Sequence, residues 1–287
     1  MGAADVVPGV SGGTIAFIAG IYDRLLSAIN AVNFSLIKLF KTQGITAVWK
    51  KIDGNFLAFL ILGIATSIIS LAKLMTHLLT NQAILTWAFF FGLIIASILY
   101  VGKQVSSWNW QAILGLMGGT LLVLAISLMP QLGDSNSLLY IFICGVIAIC
   151  AMILPGISGS FLLLILGAYH TILAALVNRD IIILGTFIAG AAIGLLSFSR
   201  FLKWILDHYN NTTIAVLTGF LVGSLYKIWP WKTTTEFRIN SHGENVPFIQ
   251  KNIWSDEQLI LAIIAALGGF LLIYLIEFIA KKLNKKD

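Results

Sequence analysis

A five-residue break, Pro-Gly-x-Ser-Gly, occurs twice inside strongly apolar sequence. The copies are Pro8-Gly9-Val10-Ser11-Gly12 and Pro155-Gly156-Ile157-Ser158-Gly159, at an offset of 147. Eight residues past each closing glycine stand Gly20 and Gly167, with Tyr22 and Tyr169 two further on. Hydrocarbon cannot satisfy the backbone groups that such a break frees, so a chain that places it twice is tightly constrained. Each copy is expected to be the tip of a helical hairpin whose second arm starts at the serine.

Composition sets the surroundings of these tips. Of 287 residues 59% are apolar and 10% charged, with mean hydropathy +0.95; ordinary globular domains carry about 25% charged residues. The chain is an all-α polytopic membrane protein on this reading, treated as one transmembrane domain over 1–287. The net charge of +6 sits in short loops and the tail, as the positive-inside rule requires, and no nucleic-acid motif accompanies it. His77, His170, His208 and His242 share no metal-ligand spacing, so neither a metal nor a cofactor is expected. Cys144 and Cys150, six apart on one apolar helix, face different sides and are packing residues.

Apolar spans fall at about 56–79, 83–102, 110–130, 181–206, 213–229 and 258–280, each near the ~20 residues a crossing needs. The apolar run 138–177 would be ~60 Å of helix, too long for one crossing, so it turns back at the second Pro-Gly. Lysines interleaved with Leu, Ile and Phe over 31–52 suit a segment lying on the membrane surface. Residues 230–257 form a polar loop.

The duplication extends past the motif. Gly63, Ser70, Lys73, Gly92 and Ser97 recur as Gly190, Ser197, Arg200, Gly219 and Ser224, all at an offset of 127. Gly118-Gly119-x-Leu121-Leu122 recurs as Gly268-Gly269-x-Leu271-Leu272. Two repeats follow, about 1–130 and 138–281, the first carrying the surface insertion 31–52 and the second the loop 230–257. Each is a Pro-Gly-broken hairpin followed by three spans, so each half switches sides and the second is inverted relative to the first. The lysines of 38–51, Lys103 and the tail fall on one side, which is the cytoplasm; the C-terminus is therefore cytoplasmic.

At each tip the proline ends the incoming helix, and Ser11 or Ser158 can cap the outgoing one. The first amides of that helix lack partners and carry the positive end of its dipole, which suits an anion. Gly9, Ser11, Gly12, Gly13 and Thr14 at one tip, and Gly156, Ser158, Gly159 and Ser160 at the other, are the candidate phosphate-binding residues. Lys73 and Arg200, at equivalent repeat positions, either supply charge to that phosphate or snorkel to an interface. Asp5 either carries a coupling proton or sits at a helix entry. Asp23 and Arg24 suit a structural ion pair near the hairpin base. Gly190-x3-Gly194 and Gly219-x3-Gly223 read as close helix-packing faces. Gly9-Val10-Ser11-Gly12-Gly13 fits the string of a nucleophile elbow, but no strand precedes it, so an enzyme is not expected.

The stretch Gly2-Ala3-Ala4-Asp5-Val6-Val7-Pro8-Gly9-Val10-Ser11-Gly12-Gly13-Thr14, running on to Gly20-Ile21-Tyr22-Asp23-Arg24-Leu25, resembles the signature of the PopT-type polyprenyl-phosphate translocase family. Leu154-Pro155-Gly156-Ile157-Ser158-Gly159-Ser160 matches it too, and the resemblance covers essentially the whole chain. Members carry an apolar stretch ahead of the first motif, whereas this sequence begins almost on it, so the incoming arm of the first hairpin is expected to be short. The resemblance implies return of undecaprenyl phosphate, or a related polyprenyl phosphate, from the outer to the cytoplasmic leaflet of the bacterial inner membrane. A proton or sodium ion would be the coupling ion. The alternative on the same scaffold is an ion-coupled carrier of a small anion or metabolite.

Overall fold

The computed structural model describes residues 1–5, 11–33, 35–129, 137–239 and 245–284. In the first half these form α1 (Gly2–Asp5), α2 (Gly12–Ile18), α3 (Tyr22–Asn30), α4 (Ser35–Lys51), α5 (Gly54–Asn81), α6 (Ala83–Gly102) and α7 (Trp110–Leu128). The second half contains α8 (Leu138–Ile153), α9 (Gly159–Ile165), α10 (Ala168–Asn178), α11 (Ile181–His208) and α12 (Asn210–Ser224). It closes with β1 (Lys232–Ile239), β2 (Asn245–Asn252) and α13 (Leu259–Asn284). The chain is a multi-pass, mostly helical membrane protein. Among the described residues five helices are long and apolar enough to cross a bilayer, and two bent pairs raise the number to seven if each is one span.

Those bent pairs are the outgoing arms of the two motifs. Each arm is a helix of only seven residues, α2 or α9, followed by a turn of 113° into α3 or of 107° into α10. Gly20 and Gly167 make the turns, at φ of 70° and 74°, where a side chain would be strained. At the first, Ile21 N–H donates to the Ala16 carbonyl and Gly20 N–H to that of Phe17, a Schellman stop. The α-carbon path therefore leaves each tip and changes direction within two turns of helix.

Two helix pairs form the centre, and glycines set how closely they approach. A Cβ on Gly119 would overlap the Val216 carbonyl, and one on Gly219 the carbonyl of Leu116. Gly115 faces Thr212 and Gly223 faces Thr120 and Val123, so α7 and α12 run side by side in the same direction. Likewise Gly92 abuts the Ala266 carbonyl and Gly269 that of Phe89, while Lys103 lies over the Tyr274 ring, so α6 and α13 also run parallel. Gly190 and Gly194 press α11 against Phe142 and Val146 of α8, as their spacing suggested. Buried Ile94 and Ala96 of α6 and Leu217 and Leu221 of α12 join Ile18 and Leu26 of the first bent pair in one core. By contrast Phe59 and Ile69 of α5, and Ile181 and Ile182 of α11, are turned outward, as lipid-facing helices require.

The polar loop 230–257 is more ordered than hydropathy suggested. β1 and β2 pair antiparallel, Lys232 opposite Asn252 and Ile239 opposite Asn245. Its base is an aromatic cluster: the rings of Trp229, Trp231 and Trp254 lie 5.8–6.2 Å apart, and Phe91 packs edge-on to Trp229. The expected span 213–229 also ends early, at Ser224, and residues 225–228 form a turn. In α4, Gly44 (φ 75°) breaks the helix, and no residue of it is buried.

A candidate phosphate cleft at the second tip

The two tips meet, and they meet unequally. Ser11, 1% exposed, accepts a hydrogen bond from Gly13 N at 3.1 Å, capping α2 as its position predicted. Its hydroxyl proton is shared between the carbonyls of Met152 and Leu154 in the other motif, both at 3.1 Å. Thr14, fully buried, accepts from Gly156 N at 3.1 Å, and Tyr22 donates to the Ile153 carbonyl at 3.1 Å. Gly13 itself lies against the Ile153 carbonyl, leaving no room for a Cβ. The amide of Gly12 is taken by Asp5 Oδ1 at 2.7 Å. In this conformation the hydroxyls of Ser11 and Thr14 and the amides of Gly12 and Gly13 are all committed to protein partners. The expected anion site at the first tip is thus closed, with a carboxylate already seated on its helix start. Pro8 and Gly9 lie outside the described residues.

The second tip is different. Ser158 makes no capping bond to α9, its hydroxyl instead lying 2.9 Å from that of exposed Ser160. Met152, at the position equivalent to Asp5, has no carboxylate to occupy the Gly159 amide. Pro155 ends α8, and Gly156 turns with φ 86°. A narrow cleft opens beside Gly156, Ile157 and Ser158, with Ser127 of α7 and Ser224 of α12 on its walls and Lys227 above Phe161. The Lys227 ammonium sits 4.2 Å from the Phe161 ring centre. Among the described residues it has no carboxylate within ion-pair distance. Lys227 thus shares the cleft with Ser127, Ser158 and Ser224, the last of which donates its hydroxyl to the Leu221 carbonyl at 2.7 Å, and the group is a candidate anion site.

Comparison with known proteins identifies the family. The sequence profile of a family described as undecaprenyl phosphate translocase-like matches residues 1–246. The chain belongs to this family. It is 46% identical over 291 residues to a polyprenyl-phosphate transporter of Vibrio cholerae, covering 98% of this chain and 94% of that one. It is 33% identical over 249 residues to a polyprenyl-phosphate transporter of Staphylococcus aureus, covering 80% of this chain and 83% of that one. No solved structure matches.

In this translocase-like chain the two cations suggested by the repeat stand apart from the cleft. Arg200 is exposed and donates to the Val32 carbonyl at 3.0 Å, at the far end of α3 from the tip. Lys73 lies in α5, and its side chain falls outside the described residues. Asp23 and Arg24 do not pair with each other: Arg24 binds Asp53 at 2.5 Å and stacks over Phe56, while Asp23 binds Lys203 at 3.3 Å. Successive residues on a helix point about 100° apart, which is why each finds a different partner. Arg24 holds the exposed Asp53 carboxyl below its ordinary range. No group of three or more metal-ligating side chains occurs among the described residues.

Lys227 was missed by reasoning from duplication, because its repeat counterpart is Tyr100, and a search for repeated residues discards it. The available signal was a lysine beside an apolar span end, in the sequence Ser224-Leu225-Tyr226-Lys227. Lys227 is also held in place. Lys232 donates from Nζ to its carbonyl at 2.6 Å, and Asn252 donates to the Tyr226 carbonyl at 2.7 Å. Lys232 lies 3.9 Å from the Trp87 ring centre, and burial, with Lys227 adding to it, pushes its ammonium down to about 7.

Proposed function

We propose that this protein carries a polyprenyl phosphate, undecaprenyl phosphate in a bacterial inner membrane, from the outer to the cytoplasmic leaflet. The observation that carries the reading is the cleft at the second tip, where Lys227, Ser158, Ser127 and Ser224 converge beside apolar Ile157, Phe161, Val123 and Ile126. The polar members suit a monophosphate head group, and the apolar rim suits the first isoprene units of a chain that stays in lipid. The relatives' names, polyprenyl-phosphate transporter, support the same substrate class. Transport of this kind needs no covalent step.

Inverted repeats supply the route. α6 and α12 are equivalent in the duplication, as are α7 and α13, yet α12 runs parallel to α7 and α13 to α6. Consecutive spans joined by a short loop, such as α6 and α7, cross in opposite senses. The second set is then upside down relative to the first, which is the arrangement of alternating-access carriers. Charge orients it with the β-hairpin and the Lys227 cleft outside, and the Lys-rich α4 and tail in the cytoplasm. In the present conformation the first tip is sealed and the second carries a narrow cleft, which would widen to admit the head group. Exchange of which tip is sealed would carry the head group across. Asp5, seated on the first tip, is the group placed to couple that exchange to a proton.

The test is leaflet exchange of undecaprenyl phosphate in proteoliposomes under imposed proton and sodium gradients. Wild-type protein is expected to move the lipid, and Lys227→Met to lower the rate at limiting lipid by about tenfold, the loss of one charge-assisted phosphate contact. Normal exchange by Lys227→Met would sink the cleft assignment. Failure of folded wild-type protein to exchange the lipid, with uptake of a small anion instead, would establish the solute carrier.

A further inference from the structure

The helix pair that carries the phosphate cleft has a twin in the same register. Gly92 against Ala266 and Gly269 against Phe89, in α6 and α13, repeat Gly219 against Leu116 and Gly119 against Val216, in α12 and α7. The offsets are the sequence ones, 127 between α6 and α12 and 150 between α7 and α13. Because the same glycines meet the same carbonyls, each cleft residue of α7 and α12 has a counterpart in the twin at an equivalent position. Ser224 corresponds to Ser97, Val123 to Ile273 and Ile126 to Ile276. Ser158 and Phe161 correspond to Ser11 and Thr14. Two correspondences change the chemistry: Lys227 becomes Tyr100, and Ser127 becomes Glu277.

We infer that a second head-group site exists at the first tip, formed by Ser11, Ser97, Tyr100 and Glu277 when that tip opens, and that it is a low-affinity release site for the phosphate. This rests on the proposed transport reading and adds a polarity to it. Ser11, Thr14, Ser97 and Ile273 are buried now, as the walls of a closed counterpart must be. The charges are opposed on the two sides. The open cleft has Lys227 with Lys232 behind it and no acid paired to either among the described residues. The counterpart has Tyr100 in place of Lys227 and Glu277 in place of Ser127, with Lys103 over Tyr274 one turn before Glu277. A phosphate is held less strongly where the lysine is exchanged for a tyrosine and a serine for a carboxylate, and a site of low dielectric enlarges that difference. Unequal affinity does not create a gradient. It allows capture at low lipid concentration on one face and fast departure on the other, while lipid consumption or a coupled ion supplies the drive.

The deciding experiment uses full-length protein in one orientation in proteoliposomes, with a fluorescent polyprenyl phosphate supplied to either leaflet. Glu277→Gln combined with Tyr100→Lys gives the release site the charge of the capture site. The half-saturating lipid concentration from the first-tip face is expected to fall about tenfold, and single-turnover release there to slow by a similar factor. The reciprocal change, Ser127→Glu, is expected to raise the half-saturating concentration from the Lys227 face about tenfold, which covers the case of a double variant that folds poorly. Unchanged constants on the first-tip face in a folded double variant would overturn the inference. If that result came with a wild type that exchanges lipid and a Lys227→Met that does not, the transport reading would stand without it. If Ser127→Glu left uptake untouched, the charge argument itself would fall.

Discussion

Thr14 shows how the partner of a hydroxyl is set by tertiary approach. Its place after the first Pro-Gly-x-Ser-Gly suggested a hydroxyl offered to phosphate. In the structure it is fully buried and satisfies Gly156 N–H of the opposite motif. Removing that acceptor would leave a buried amide without a partner, at a cost of about 1–3 kcal/mol. Thr14→Val, close in shape, is therefore expected to lower the thermal unfolding midpoint in detergent. It is also expected to favour opening of the first tip, read as faster thiol labelling of Ser11→Cys in the Thr14→Val background than alone. Equal labelling rates would remove Thr14 from the seal. The sequence marked this residue because it lies in the motif, but which partner a hydroxyl takes is decided by the approach of the other tip. That approach depends on Gly13 lying flush on the Ile153 carbonyl, 140 residues away.

The elements were legible where hydropathy alone decides them, and less so where local turn chemistry does. The α6 span matches its sequence limits, 83–102, because Gln82 and the Lys103-Gln104 step bound an unbroken apolar run. The bends after α2 and α9 were not anticipated, although Gly20 and Gly167 had been noted, because apolar sequence continues through both and a lone glycine also occurs inside helices. The β-hairpin was read as a loop for the opposite reason: polar residues hid the β-branched run Thr233-Thr234-Thr235 and the alternation that follows. Yet this hairpin holds the turn of Lys227, through Lys232 Nζ on its carbonyl and Asn252 on that of Tyr226. Lys232 also carries a pH signature. Its folded pKa, about 7, lies below the ordinary 10.5, so the folded protein binds fewer protons than the unfolded chain between those values. The penalty of burying its charge is complete below about pH 7 and lifts as pH rises toward 10.5. Wild-type protein is expected to gain thermal stability relative to Lys232→Met between pH 7 and 9. Parallel curves over that window would show that Lys232 is solvated. If Lys232 positions Lys227, the same variant also raises the half-saturating lipid concentration while the maximal exchange rate stays closer to wild type.

At the scale of the whole molecule, the tips are the contact that the proposed transport cycle would have to break. The largest core is shared by the crossed pairs α6 with α13 and α7 with α12, while α8 to α11 enclose a smaller one around Ile141, Cys144, Ala148, Leu163 and Ala168. Such cores are close-packed and switch between discrete arrangements instead of deforming smoothly. The interface between tips is small and polar by comparison: Ser11 on Met152 and Leu154, Thr14 on Gly156, Tyr22 on Ile153. A few hydrogen bonds, each worth about 1 kcal/mol net, can be exchanged within the few kcal/mol that separate states of a working carrier. Tethering the tips should therefore arrest the cycle without unfolding the protein. With Cys144 and Cys150 replaced by serine, cysteines at Ser11 and Met152 bridged by a short bis-methanethiosulfonate, which loses methanesulfinate at each end, are expected to stop leaflet exchange, and reduction of the bridge to restore it. The head group should still bind in the tethered state, because the Lys227 cleft lies on the side that the bridge leaves open. Binding without exchange would identify the tip contact as the moving gate. Undiminished exchange through an intact bridge would mean that the two tips travel together and that access changes elsewhere, at the packing of α7 and α12 around the lysine.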